Sequence, residues 1–199
     1  MPSWDDEFSK PGYRYGTEPN SFLVEMAGRL PKASRVIAAG DGEGRNGVWL
    51  AGQGHRVLAL DASSVGLAKA RALAEERGVP IETAVVDLST YAPERAIADA
   101  VVLIYVHMPP AVRRAAHRNL ASALKPGGLV ILEAFHRDQL GRSSGGPKDP
   151  NMLFDLALLT EDFGPDIRAV HAFEGEVELD EGRGHVGMGA IVRFLGVKV

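Results

Sequence analysis

The chain contains no cysteine. That excludes disulfides, thiolate metal sites and cysteine nucleophiles together, and is compatible with a reducing compartment. Positive charge is not in excess either. Twenty-two Lys and Arg stand against 26 Asp and Glu, a net charge of −4 with a pI near 5.9. A nucleic-acid backbone calls for a basic footprint, so no nucleic-acid partner is expected. No apolar run approaches the ~20 residues of a membrane span, and Met1-Pro2-Ser3-Trp4-Asp5-Asp6-Glu7 lacks the basic start and apolar stretch of a signal peptide. A cytoplasmic protein without a membrane partner is the expectation. No His, Asp or Glu pair has metal-ligand spacing such as H-x-x-x-H, so no metal is expected. With no internal repeat or low-complexity linker, the 199 residues, 45% hydrophobic and 24% charged, read as one domain over 1–199.

What is present is an alternation of strand and helix signals. Residues 1–19 form a polar, aromatic arm punctuated by Pro11, Gly12, Gly16 and Pro19, and a helical period begins at Asn20. Arg35 to Ala39 is a short apolar run stopped by glycines; a helix over Asn46–Gln53 and a strand from His55 to Asp61 follow. Ser63 caps a helix through Arg77 with Gly78 as its stop, and Pro80–Val86 is a third strand. A short helical piece is expected near Glu94. The unalternated run Ala100–Val106 fits a parallel strand covered on both faces. Pro109 or Pro110 starts a helix with Val112, Ala115, Ala116, Leu120 and Leu124 inward; Lys125-Pro126-Gly127-Gly128 ends it before a strand from Leu129 to Phe135. This order implies a doubly wound, mostly parallel α/β sheet. Arg168–Leu179 and Gly184–Val197, joined by a polar turn, are too close for a crossover and form an antiparallel hairpin.

Gly40-Asp41-Gly42-Glu43-Gly44-Arg45-Asn46 follows the first strand directly. Alternate glycines let the chain turn sharply and admit a ligand against the backbone, and the helix after them offers free N–H groups to an anion. Asp61 ends the second strand, where a carboxylate accepts from ribose hydroxyls. The pair implies an adenosine-containing ligand. Gly42 to Gly47 also matches G-x-G-x-x-G, the dinucleotide pattern, in a poor register: read from Gly40, its third position is Arg45, too bulky for the close packing that pattern requires.

These segments, with Gly54-His55, Asp61-Ala62-Ser63, Asp87-Leu88, Tyr105, His107-Met108-Pro109 and Lys125 to Gly128, resemble class I S-adenosylmethionine-dependent methyltransferases of the TehB-like, tellurite-resistance group. The resemblance runs from Tyr13-x-Tyr15-Gly16 to the final hairpin and implies a seven-stranded sheet. It also implies S-adenosylmethionine as cofactor. The backbone around Gly40 and Gly42, with Arg45 and Asn46, would hold the methionine part, Asp61 and Ala62 the ribose and adenine, Asp87 and Leu88 the adenine edge. Tyr105 would lie beside the cofactor and Tyr15 over it. The sequence departs from the family at Ala38, where an acid is common; Asp41 is expected to compensate by facing the cofactor's ammonium or sulfonium.

Methyl transfer from a sulfonium is an in-line displacement that demands alignment above all. The expected acceptor is a small molecule, a thiol or a chalcogen oxyanion; an O-methyltransferase or a nicotinamide-dependent oxidoreductase stands as the alternative, as does a cofactor-binding regulator. His107 is the candidate general base, or a loop histidine; His136 is a second candidate, while His171 and His185 read as structural. Arg113, Arg114, His117 and Arg118 read as a solvated helix face or a site for an anion. Ser143 to Lys148 is a mobile lid or a plain connection, and the arm with Trp4, Phe8, Tyr13 and Tyr15 reads as a cofactor lid. Oligomeric state is left open.

Overall fold

The runs without polar alternation become the middle of one sheet. In the computed structural model, which describes residues 4–199, the strands are β1 (Arg35–Ala39), β2 (Arg56–Asp61), β3 (Glu82–Val85), β4 (Ala98–Ile104), β5 (Leu124–Phe135), β6 (Ile167–Glu181) and β7 (His185–Lys198). Their order is β3-β2-β1-β4-β5-β7-β6. The first five pair in parallel, and β7 enters antiparallel between β5 and β6. The doubly wound sheet with a terminal hairpin is therefore observed.

Six helices complete the described chain: α1 (Trp4–Phe8), α2 (Ser21–Ala27), α3 (Arg45–Gly52), α4 (Ser64–Glu76), α5 (Pro110–Ser122) and α6 (Leu156–Phe163). Strand residues alternate between two cores, as the period of two requires. Val36 and Ala38 pack with Phe22, Leu23 and Leu50 of α2 and α3, whereas Ile37 and Ala39 join Leu120, Phe154 and Phe163 on the α5 and α6 side. Ser63 caps α4 as expected, its side chain accepting from Gly66 N.

Three segments differ from the reading of the sequence. No helix forms near Glu94. Pro93 lacks a donor there, and the chain instead turns at Arg95 and Ala96, with Ala96 at φ 55°. Lys125 to Gly128 does not precede β5 but lies inside it, as an excursion between the pairs Ala98–Leu124 and Ala100–Leu129. Helix α6 was not foreseen, although Asp155 caps it by accepting from Leu158 N and Gly164, at φ 65°, ends it.

That unforeseen helix overturns the solvated-face reading of α5. It packs on α5 and buries Arg113 and His117, which were expected on the exposed side, while Ala115, expected inside, is exposed. Asp162 supplies the compensating charge. Its Oδ2 takes Arg113 Nε at 2.6 Å and lies 3.0 Å from His117 Nδ1, and the imidazole stacks on Phe163. Arg114 and Arg118 remain at the surface. Removing one partner of such a cluster strands the others. Asp162→Ala is expected to lower unfolding free energy by about 3–5 kcal/mol in urea titrations, with Asp162→Asn losing less.

Candidate functional site

The glycine loop joins β1 to α3 through three left-handed residues, Gly40 (φ 65°), Gly42 (φ 56°) and Gly44 (φ 89°). Two of them have no room for a side chain as well. A Cβ on Gly40 would lie 2.7 Å from Val106 Cγ2, and one on Gly44 would lie 2.5 Å from Ala70 Cβ. Helix α4 and the end of β4 thus close on the loop from both sides.

Asp61 ties the loop to β2. Its Oδ2 accepts from Gly42 N and its Oδ1 from Ser63 N, each at 2.8 Å. Burial raises its pKa, against the pull of those amides. Asp41 does not face the cofactor space, contrary to expectation. Its Oδ1 accepts from Gly47 N at 3.1 Å, capping α3 from below, and its Oδ2 is buried without a hydrogen-bond partner. A backbone donor at the helix start attracts the carboxylate more directly than a ligand beyond the loop could.

Arg45 and Asn46 open α3 and turn toward the hairpin. Arg45 Nη2 donates to Glu181 Oε2 at 2.8 Å, leaving Nη1 buried without a partner. Asn46 Oδ1 accepts from Asn20 N at 2.9 Å. Ala62 is exposed just after Asp61, and Leu88 is half-buried. Asp87 is exposed, with Oδ1 accepting from Ser89 N at 2.8 Å. Tyr105, at the C-terminal end of β4, has φ 56° and donates its hydroxyl proton to Glu133 Oε1 at 2.7 Å.

The arm lies on this loop. Phe8 is buried against Gly42 and Gly66, and Asp5 Oδ1 accepts from Ser63 Oγ at 2.5 Å at the start of α4. Tyr15 packs on Gly184 and lies against His185, tilted by 37° at 4.6 Å between ring centroids. Met1 to Ser3, the arm's first residues, lie outside the described residues.

His107 is not free to act as a base in this arrangement. Nδ1 lies 2.7 Å from Met152 O and Nε2 accepts from Phe135 N at 3.3 Å. Burial, only partly offset by the Met152 carbonyl, lowers its pKa to about 4. The neutral ring therefore donates from Nδ1 and accepts at Nε2. His136 Nδ1 accepts from Asp138 N at 3.2 Å, a capping contact. The Ser143 to Lys148 segment is pinned rather than loose: Ser144 is buried and donates to Met188 O at 2.7 Å, while Gln139 donates to Ser144 Oγ and to Gly145 O.

The sequence reading missed Asn20, Glu133, Glu181 and Arg193, and took His185 as structural. Strand β7 pairs with β5 only from Ile191 onward, so residues 185–190 project beyond the sheet. Six residues extend it by about 20 Å, enough to curl the turn over the strand ends. His185 lands among Tyr15, Tyr105 and Phe135. The lengths of the two final runs against Leu129–Phe135 carried that signal.

A pH test follows from Asp41. Burial pushes its carboxyl up to about 7, with the Gly47 amide opposing and Asp61 adding repulsion. The folded state therefore keeps a proton that the unfolded chain releases near 3.8, and this group costs stability as pH rises through the window from about 4 to 7. Asp41→Asn keeps an acceptor for Gly47 without the charge. Urea melts should show the variant about 1–3 kcal/mol more stable than the parent at pH 8 and equal to it near pH 4.

Comparison with known proteins finds similarity over the glycine loop and the parallel strands. Residues 36–128 match the family described as Methyltransferase domain. A tRNA 5-carboxymethoxyuridine methyltransferase of Escherichia coli (strain K12) is 33% identical over 121 residues, 57% of this chain and 44% of that enzyme. The chain thus spans less than half the length of the curated relative it matches. TehB from Haemophilus influenzae has a TM-score of 0.76 at 20% identity, over 99% of this chain and 68% of its own. A structure concerned with conversion of a disulfide bond into a thioacetal group during echinomycin biosynthesis has a TM-score of 0.77 at 17% identity, over 98% of this chain and 87% of its own. Over residues 36–128, just under half of the chain, the sequence is thus similar to a methyltransferase domain, and the whole chain shares its fold with TehB.

Proposed function

We propose that the chain transfers a methyl group from S-adenosylmethionine to a small molecule with a soft nucleophile, a thiol or a chalcogen oxyanion. The observation that carries the cofactor assignment is Arg45 Nη1, a buried guanidinium donor with no partner at the head of the glycine loop. An unmade hydrogen bond of that kind costs about 1–3 kcal/mol, and an α-carboxylate is its natural complement. Asp61 can add ribose hydroxyls, because each carboxylate oxygen accepts more than the one amide it now holds. Ala62 and Leu88 offer apolar contact to the base, with Asp87 at its edge. Tyr15 and the arm cover the loop.

When bound, S-adenosylmethionine supplies an electrophilic methyl on a sulfonium that leaves as a neutral thioether. The protein's part is alignment and exclusion of water. Tyr105 and Phe135 stand at the ends of β4 and β5, where open α/β sheets receive ligands. With both of its nitrogens engaged, His107 is not free to deprotonate an alcohol, which favours a nucleophile that needs little deprotonation. The Escherichia coli relative is a tRNA methyltransferase by name, but its alignment reaches only 57% of this chain. The net charge of −4 favours a small acceptor.

Titration calorimetry with S-adenosylhomocysteine tests the cofactor assignment. Low-micromolar binding is expected, weakened at least about tenfold in Asp61→Ala and in Arg45→Leu, each of which removes a charge-assisted hydrogen bond. Heat from NAD instead would sink the assignment. For the acceptor step, His107→Ala should cost less than about tenfold in turnover between pH 6 and 9; loss of about 100-fold with rescue at high pH would restore it as the base.

A further inference from the structure

Two arginines and two glutamates meet near the C-terminal end of β5, where Glu133 faces its register partner Arg193 of β7, and each arginine is closed by its own glutamate. Arg193 Nε donates to Glu133 Oε2 at 2.5 Å, and Arg45 Nη2 to Glu181 Oε2 at 2.8 Å. Both pairs are largely out of water, with Glu133 1% and Arg45 8% exposed. Asn20 Nδ2 donates to both carboxylates at 2.7 Å, binding the pairs into one network. Tyr105 gives its hydroxyl proton to Glu133. At the rim, Lys69 is paired with Glu43 and Arg14 with Glu7.

The remaining wall is made of rings. Tyr15, Tyr105 and Phe135 surround His185 at centroid distances of 4.3–5.0 Å. Burial holds the His185 imidazole below its ordinary pKa despite the nearby Glu181, so it adds no positive charge at neutral pH. An oxyanion leaving water needs charged donors that are not already matched. Among the described residues here, the orphaned Arg45 Nη1 is the guanidinium donor left over, and it is assigned above to the cofactor's carboxylate. Ring faces, for their part, favour neutral or cationic groups.

We propose that Glu133 and Glu181 are specificity-determining residues: by neutralising Arg193 and Arg45 they make the acceptor side reject oxyanions and admit a molecule that is uncharged when it enters, such as a thiol, whose proton leaves to solvent as its sulfur takes the methyl. This rests on the methyl-transfer reading above and narrows its two acceptor classes to one. Replacing either carboxylate by an amide leaves a buried guanidinium without its counter-charge, and that charge then seeks an anion.

The test is calorimetric titration of sodium selenite, at pH 7, into protein saturated with S-adenosylhomocysteine. The parent should give no saturable heat up to 10-fold the concentration at which Glu181→Gln saturates, and Glu133→Gln should gain selenite affinity in the same way, at least about tenfold for a newly unpaired charge. Circular dichroism and thermal melts establish folding; Glu181→Gln, at the hairpin turn, serves alone if Glu133→Gln does not fold. Saturable selenite binding by the parent overturns the proposal, and so do variants that bind selenite no better than the parent. S-adenosylhomocysteine affinity on the same preparations separates the two readings. If the parent fails to bind it, the methyl-transfer reading fails; if it binds, the selenite result judges the glutamates alone.

Discussion

The carboxylate of Glu181 holds the turn end of the final hairpin in place. Beyond Ile191 the β6–β7 hairpin has left its neighbour β5 and projects as a two-stranded ribbon. Such a ribbon is marginal by itself. Glu181 fastens it by taking Arg45 from the glycine loop and Asn20 from the start of α2. Burial opposes its ionisation, but His185, Arg45 and Asn20 together bring it down to about 2. Because the folded value lies below the ordinary 4.5, this contribution is fully present above that pH and is lost only as pH falls toward 2. The closure is thus built for neutral conditions. Asn20 makes it cooperative. It caps α2 through Leu23 N, receives no substitute for its two carboxylate contacts, and touches the loop through Asn46. The start of α3, strand β5, helix α2 and the hairpin therefore share one buried residue.

The loop's two acids divide their work by orientation. Asp61 bonds across from β2 to Gly42 and to Ser63 at the start of α4. Asp41, three residues after Ala38, turns beneath the loop to cap α3. Their proximity raises the cost of charging either one. A cofactor that brings a cation to this loop would meet Asp61 and the strand ends, with Asp41 acting through the backbone it supports.

Fold and glycine loop were legible in the sequence because they depend on local rules. Unalternated runs gave β1, β4 and β5; Ser63 and Gly78 bounded α4; alternate glycines after β1 marked the loop. What escaped depends on long-range contact. Arg113 and His117 look like a wet helix face until α6 arrives with Asp162, 45 residues after His117. Glu133 looks like a lapse in an apolar strand until Tyr105, Asn20 and Arg193 converge on it. His107 follows the right strand for a base, yet its fate was decided by the carbonyl of Met152, in a segment with no signal of its own. Periodicity identifies which residues are inside. It does not say which buried polar groups find one another.

Tyr105 shows how these contacts bear on chemistry. It is one of three described non-glycine residues with positive φ, at 56°, and that conformation costs of order 1–3 kcal/mol. Three interactions hold it there. Its N–H donates to Glu133 O at 2.7 Å, its hydroxyl to Glu133 Oε1, and its ring packs against Phe135 and His185. Ordinary strand geometry would have set the side chain square to the sheet. The left-handed turn instead aims the ring into the space under the hairpin, with the hydroxyl oxygen left as an acceptor. Since His107 is locked by two backbone groups and Tyr105 by Glu133, neither is arranged to exchange protons readily with a substrate. Both are arranged to stay still, which is what an in-line displacement asks of its surroundings.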